Sequence, residues 1–330
     1  MGEATVKKRL ILHIGMHKTG TSSVQRYFSR NRMMLRRMGV SYPNSIGIDG
    51  ARQPKHASIF DAISHEADFG SPHPVLGPSA TVIGSTADEI ESSLGQIGVL
   101  SAEGLSGERR VFAEAMASLS DRFDTTVVIF VRRQDHWVES FYKQMVLSRE
   151  VKEVRSFHQF IEADSTKAHM SYDRIIRWWM DAFGEERVLV KGFHPLGAKR
   201  PLMKLLDIAA LGRAFRWMPF AHSHENPSAG VEAVEVIRRL NAIGDVAPRD
   251  AAARLETQYG RSDVQYLTSE ERNNLLESYK EGNRWVLKYM NIDDRSCLAP
   301  NMSELGRSRE LRWTGSISAA ILTNLNRKIL

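Results

Sequence analysis

Between His13 and Ser23 the chain reads H-I-G-M-H-K-T-G-T-S-S, so Gly15, Lys18, Gly20 and the hydroxyls of Thr19, Thr21, Ser22 and Ser23 crowd the junction of an apolar run and a helix start. Residues of those types in that order suit a phosphate. Gly20 lets the backbone turn its N–H groups toward an anion, the helix N-terminus adds a partial positive charge, and Lys18 adds a full one. Gly15 and Gly20 have the spacing of the Walker pattern G-x-x-x-x-G-K-S/T, but Thr21 and Ser22 follow Gly20 and the lysine lies inside the loop. A second charged position follows the run T-T-V-V-I-F-V, which ends in Arg132 and Arg133 where a Walker-type NTPase wants an Asp for magnesium. A guanidinium there offers a planar fork to phosphate oxygens, and Ser140, eight residues beyond Arg132, adds a hydroxyl from the next helix.

Two residues could take a proton from an acceptor hydroxyl. Glu103, in L-S-A-E-G-L-S, stands just past a candidate strand at the edge where ligands gather. His56, in R-Q-P-K-H-A-S, has a side chain whose ordinary pKa suits the task, and Lys55 beside it could meet an anionic acceptor. His222 and His224 in A-H-S-H-E-N form a pair without a third ligand of suitable spacing, so they read as a loop and no metal is expected. Trp137, Trp178 and Trp179 read as packing residues, and the lone Cys297 as an inert thiol.

These groups need a scaffold of alternating strands and helices. Arg9 to Gly15 reads as a buried parallel strand and Ser22 to Arg37 as the helix after it. Helices are predicted over about 54–67, 86–94 and 108–119, with a strand at Ile97 to Ser101 and loop at Ser71 to Pro78. The β-branched run Thr125 to Val131 is the clearest strand, followed by a helix over about 134–148, a helix over 172–183 and a strand at Arg187 to Lys191. The pattern predicts one α/β domain over residues 1–330, a three-layer α/β/α with a central parallel sheet and a mostly helical region over 195–330. Ligands of such a sheet bind outside the carboxyl ends of its strands.

Composition narrows the classes further. With 42% apolar and 25% charged residues the chain is globular rather than disordered, and a single cysteine excludes an internal disulfide or a cysteine-built metal site. A net charge of +6 favours anionic ligands, yet no helix-turn-helix, RNA-binding or zinc pattern supports nucleic acid. No signal-peptide pattern and no apolar run of membrane-spanning length is present, so a soluble, cytoplasmic protein is expected, with peripheral membrane contact left open.

The stretch H-I-G-M-H-K-T-G-T-S-S-V-Q resembles the 5′-phosphosulfate loop of sulfotransferases that use PAPS (3′-phosphoadenosine 5′-phosphosulfate), particularly the bacterial carbohydrate-type members. The pair Arg132 and Ser140 resembles that family's 3′-phosphate site, and weaker echoes extend the likeness over residues 9–290. The resemblance implies a P-loop-like fold, PAPS as donor, PAP (the 3′,5′-bisphosphate) as product, no metal, and a hydroxyl-bearing acceptor such as a carbohydrate or glycolipid. It implies that His17, Lys18, Thr19, Gly20, Thr21 and Ser22 hold the 5′ end of the donor, and that Asn226 and Ser228 line a lid. Cytosolic members carry a histidine base near the place of Glu103, whereas heparan-type members carry a glutamate near that of His56, so both remain candidates beside Lys18. The Gly-rich C-terminal motif of cytosolic animal enzymes is missing, which leaves the adenine contacts unassigned. Two further readings stand beside this one: a nucleotide or small-molecule kinase needing magnesium and ATP, and a nucleotide-binding scaffold without turnover.

Overall fold

Five segments form a wholly parallel sheet: β1 (Arg9–His13), β2 (Val40–Ser41), β3 (Ile97–Ser101), β4 (Asp124–Val131) and β5 (Val188–Gly192), in spatial order β2-β3-β1-β4-β5. The structure is a computed structural model that describes residues 6–193, 199–211, 229–244, 247–259 and 264–298. Register aligns the carboxyl ends, with His13 opposite Ser101 on one side and Val128 on the other, while β4 runs three residues further to Val131. The connection after β1 leads to β2 on one side and that after β4 to β5 on the other. The strand order therefore reverses between β1 and β4, the place where open α/β sheets bind ligands.

Side-chain alternation along the strands builds the layers. Leu10, Leu12, Leu100, Val127 and Ile129 bury against helices Ala57–Phe69, Ser79–Ser92, Val111–Met116 and Tyr172–Phe183. Ile11, Val99, Val128 and Phe130 face the other way, onto Val24 and Phe28 of helix Thr21–Arg30 and Leu202, Leu205 and Leu206 of helix Lys199–Ile208. The result is the three-layer α/β/α architecture with a central parallel sheet that the periodicity predicts. Trp179 lies in the first of these cores and Trp178 packs at its edge.

The chain divides into two compact units. The first draws on Met1–Arg132, Ser171–Ser223 and Glu281–Leu298 and contains the sheet. The second draws on Arg133–Met170, His224–Lys280 and Ala299–Leu330. Its described elements are helical, among them Gln134–Val146, Phe157–Glu162, Val231–Asn241 and Ser269–Ser278, around a core of Trp137, Tyr142, Phe160, Val234 and Ile237. Buried beside that core, Asp135 accepts from Arg133 (Nε to Oδ1, 2.8 Å) and from Arg272, whose other nitrogen reaches Glu139 (2.9 Å). Mutual pairing is what makes so many buried charges tolerable.

Local expectations and structure differ at several places. The predicted helix over 22–37 is broken at Asn31, whose backbone N–H and side-chain amide both donate to the Tyr27 carbonyl, at 3.1 and 2.9 Å, and terminate the first segment. The helix predicted over 86–94 begins earlier, at Ser79, because Glu66 from the preceding helix accepts the Ser79 backbone N–H at 2.7 Å and its hydroxyl. Strand β2 was not foreseen: two residues are too few to show a period.

Candidate functional site

The loop from Ile14 to Gly20 crosses the carboxyl edge of the sheet and is held by three residues in the left-handed region, Gly15 (φ 57°), Lys18 (φ 65°) and Gly20 (φ 80°). For Lys18 that conformation costs about 1–2 kcal/mol. Thr19 supplies part of the constraint. It is fully buried and closes the loop on itself, its hydroxyl donating to the Met16 carbonyl at 2.6 Å and accepting the Met16 N–H at 3.3 Å. Thr19 is thus a brace, with its hydroxyl turned into the loop. His17, Lys18 and Gly20 are half-buried, and Ser22 is exposed on the first turn of helix Thr21–Arg30. That helix begins without a side-chain cap, so its N-terminus presents backbone donors as an anion site requires.

Arg132, just past β4, reaches the same loop. Its Nη1 donates to the Lys18 carbonyl at 3.1 Å, and its guanidinium lies 5.4 Å from the centre of the Phe193 ring. Phe193 follows β5, is tied to the end of β4 by its N–H on the Val131 carbonyl (2.8 Å), and lies 3.3 Å from where a side chain on Gly20 would begin. Tyr172 fixes the other side of the arginine by donating to the Arg132 carbonyl at 2.6 Å. Arg133, by contrast, is buried in its pair with Asp135. Ser140 is half-buried on helix Gln134–Val146 and belongs to the second unit, where Trp137 stacks on Phe141 at 4.7 Å.

Glu103 opens the turn Glu103–Ser106 after β3 and is also brought to the loop: its carboxylate accepts the hydroxyl of Thr21, the first residue of helix Thr21–Arg30. The contact depends on Gly15, since a side chain there would begin 2.5 Å from the Thr21 methyl and 3.6 Å from the Glu103 Cβ. Beneath them His13 is buried, with Nδ1 2.8 Å from the Ser101 hydroxyl. Burial pushes the His13 pKa down to about 4, against the opposing pull of Glu103.

His56 fails as a base. It is 1% exposed, its Nδ1 accepts the Ser101 N–H at 3.0 Å, and its Nε2 lies 3.1 Å from the Pro43 carbonyl. Nδ1 must be the acceptor, so Nε2 carries the proton and donates to Pro43. Burial holds its pKa near 4 despite the two backbone bonds that oppose the shift. Both nitrogens are spent joining β3 to the segment after β2, which corrects the expectation of a second candidate base.

Thr21 and Glu103 as a pair, Phe193 and His13 were all missed as site residues. Only His13 carried a local signal, a polar residue at the end of an otherwise apolar strand. Among the described residues no group of three His, Cys, Asp or Glu is arranged to hold a metal, and no helix is long and apolar enough to cross a membrane. His222, His224, Asn226 and Ser228 lie outside the described residues. Cys297 is buried, and burial pushes its thiol up to about 12, the inert behaviour expected of it.

The fold and site define a parallel three-layer α/β chain with a glycine- and lysine-bearing loop at its strand-order reversal. No family model matches the chain. It is 27% identical over 194 residues to an uncharacterized protein of Archaeoglobus fulgidus, a match covering 56% of this chain and 51% of that one, so the chain spans about half the length of this curated relative. Among solved structures it is similar to a sulfotransferase from Alicyclobacillus acidocaldarius, with a TM-score of 0.41 and 19% identity over 76% of this chain and 96% of that one.

Proposed function

We propose that the protein transfers a sulfuryl group from PAPS to an acceptor hydroxyl on a carbohydrate or glycolipid. The observation that carries this reading is the meeting of the two signature cations' elements: Arg132, from the end of β4, donates to the Lys18 carbonyl of the loop after β1. A nucleotide with phosphates at both ends needs anion sites on two such elements. Lys18, Gly20, Thr21, Ser22 and the helix N-terminus hold the 5′-phosphosulfate, with His17 and the brace Thr19 shaping the loop, while Arg132 and Ser140 serve the 3′-phosphate.

In this mechanism the acceptor oxygen attacks sulfur and the bond from sulfur to the bridging phosphate oxygen breaks. The electron pair stays on PAP, where the Lys18 ammonium stabilises it. Glu103 takes the hydroxyl proton, the kind of assistance that contributes about 10²–10⁴-fold. The protein's remaining task is alignment, which its braced loop serves.

Calorimetric titration with PAP, against AMP and magnesium-ATP, tests the reading. Binding of PAP well above both others is expected. Preference for magnesium-ATP would replace it with the kinase, PAP binding without PAPS turnover with the scaffold, and binding of none would overturn the donor reading.

A further inference from the structure

His13 ends the central strand beneath the loop, and its Nε2 is a buried ring nitrogen with no hydrogen-bond partner among the described residues. Its Nδ1 lies 2.8 Å from the Ser101 hydroxyl, an oxygen that can accept from it. With the proton on Nδ1, Nε2 is a bare acceptor, and it is a buried atom without a hydrogen-bond partner among the described residues. A buried polar atom left in that state calls for a reason.

Its surroundings supply one. Nε2 and the Cβ of Glu103 each lie 3.6 Å from the point where a side chain on Gly15 would begin, so the two groups flank the same glycine. As a base Glu103 begins as an acceptor only, and its carboxylate is occupied by Thr21. Once it has taken the acceptor's proton it becomes a donor, and Nε2 is an acceptor flanking the same glycine.

We propose that His13 is a positioning residue for Glu103: its Nε2 accepts a hydrogen bond from the carboxylic acid that Glu103 becomes, stabilising the acid form as it develops. The inference rests on the proposed sulfuryl transfer with Glu103 as base. The proton moves from the acceptor hydroxyl to the Glu103 oxygen and stays there, shared toward Nε2, until product release returns it to water, so nothing is oxidised or reduced.

Asparagine and glutamine separate the two nitrogens of a histidine, because the asparagine amide falls near Nδ1 and the glutamine amide near Nε2. With water as acceptor, hydrolysis of PAPS to PAP and sulfate is expected to fall about 10²-fold in His13→Asn, the lower end of what acid–base assistance contributes. PAP affinity by calorimetry should stay within twofold, and His13→Gln should recover most of the rate. Unchanged hydrolysis in His13→Asn, or loss of PAP binding together with the rate in both variants, would overturn the role. A second arm needs no donor. In ¹⁵N spectra of the full chain the His13 ring should show Nδ1 protonated and Nε2 bare at neutral pH, and Glu103→Gln should move the Nε2 resonance. An Nε2-protonated ring, or an Nε2 resonance indifferent to Glu103→Gln, overturns the pairing. Failure of wild-type protein to bind PAP would instead overturn the donor reading.

Discussion

Replacing Gly15 with alanine probes whether the loop holds Glu103 by close packing. Two penalties are separable. The first is conformational: φ is 57°, a region that costs a residue with a side chain about 1–2 kcal/mol. The second is steric, because the new methyl would begin 2.5 Å from the Thr21 Cγ2. Forcing one extra methyl into a packed site costs about 1–3 kcal/mol. Gly39 isolates the first penalty, since it has φ 79° with nothing within 4 Å of its would-be side chain. The loss of unfolded-chain freedom on going from glycine to alanine is common to both and cancels. Gly39→Ala should therefore lose about 1–2 kcal/mol and Gly15→Ala about 2–5. At about 3 °C per kcal/mol for a unit of this size, the melting temperature should drop by about 3–6 °C and 6–15 °C respectively. Thr21→Ser removes the clashing methyl and keeps the hydroxyl for Glu103, so in the Gly15→Ala background it should restore the steric part. Equal shifts for the two glycine variants, or no recovery with Thr21→Ser, would refute the packing account.

Arg132→Ala should weaken PAP binding far more than AMP binding by calorimetry; equal weakening removes Arg132 from the 3′-phosphate. Glu103→Gln should bind PAP as wild type does while losing PAPS turnover by about 10²-fold or more, and normal turnover would dismiss Glu103 as the base. Acid should destabilise the fold through the buried His13 and His56. Both His13 and His56 are held near 4 when folded, against 6.5 in the free side chain. Between those values the unfolded chain binds protons that the folded chain excludes. Stability is therefore complete above about pH 6.5 and is lost as pH falls toward 4, by up to about 3 kcal/mol per histidine. Urea midpoints measured from pH 7 to 4 should show this slope, and His56→Gln should flatten it.

Much of the scaffold is legible because its signals are local. The β-branched run of β4, the bounds of β3 and of helix Tyr172–Phe183, and the glycine–lysine–hydroxyl loop each declare themselves within a dozen residues. Lys18, Gly20 and Arg132 could be singled out from residue type and spacing alone, since a phosphate demands charge and backbone freedom at a strand end. What tertiary structure decided was which polar residues face the loop and which are consumed by the fold. In sequence Glu103 is the first candidate for the base and His56 its rival; packing buries His56 between two backbone groups and sets Glu103 against Thr21. Likewise Phe193 and His13 join the site through the pairing of strands distant in sequence, as β5 beside β4 and β1 between β3 and β4. A short motif fixes a loop's own conformation, but a side chain's proton and partner depend on neighbours that only the folded sheet brings together.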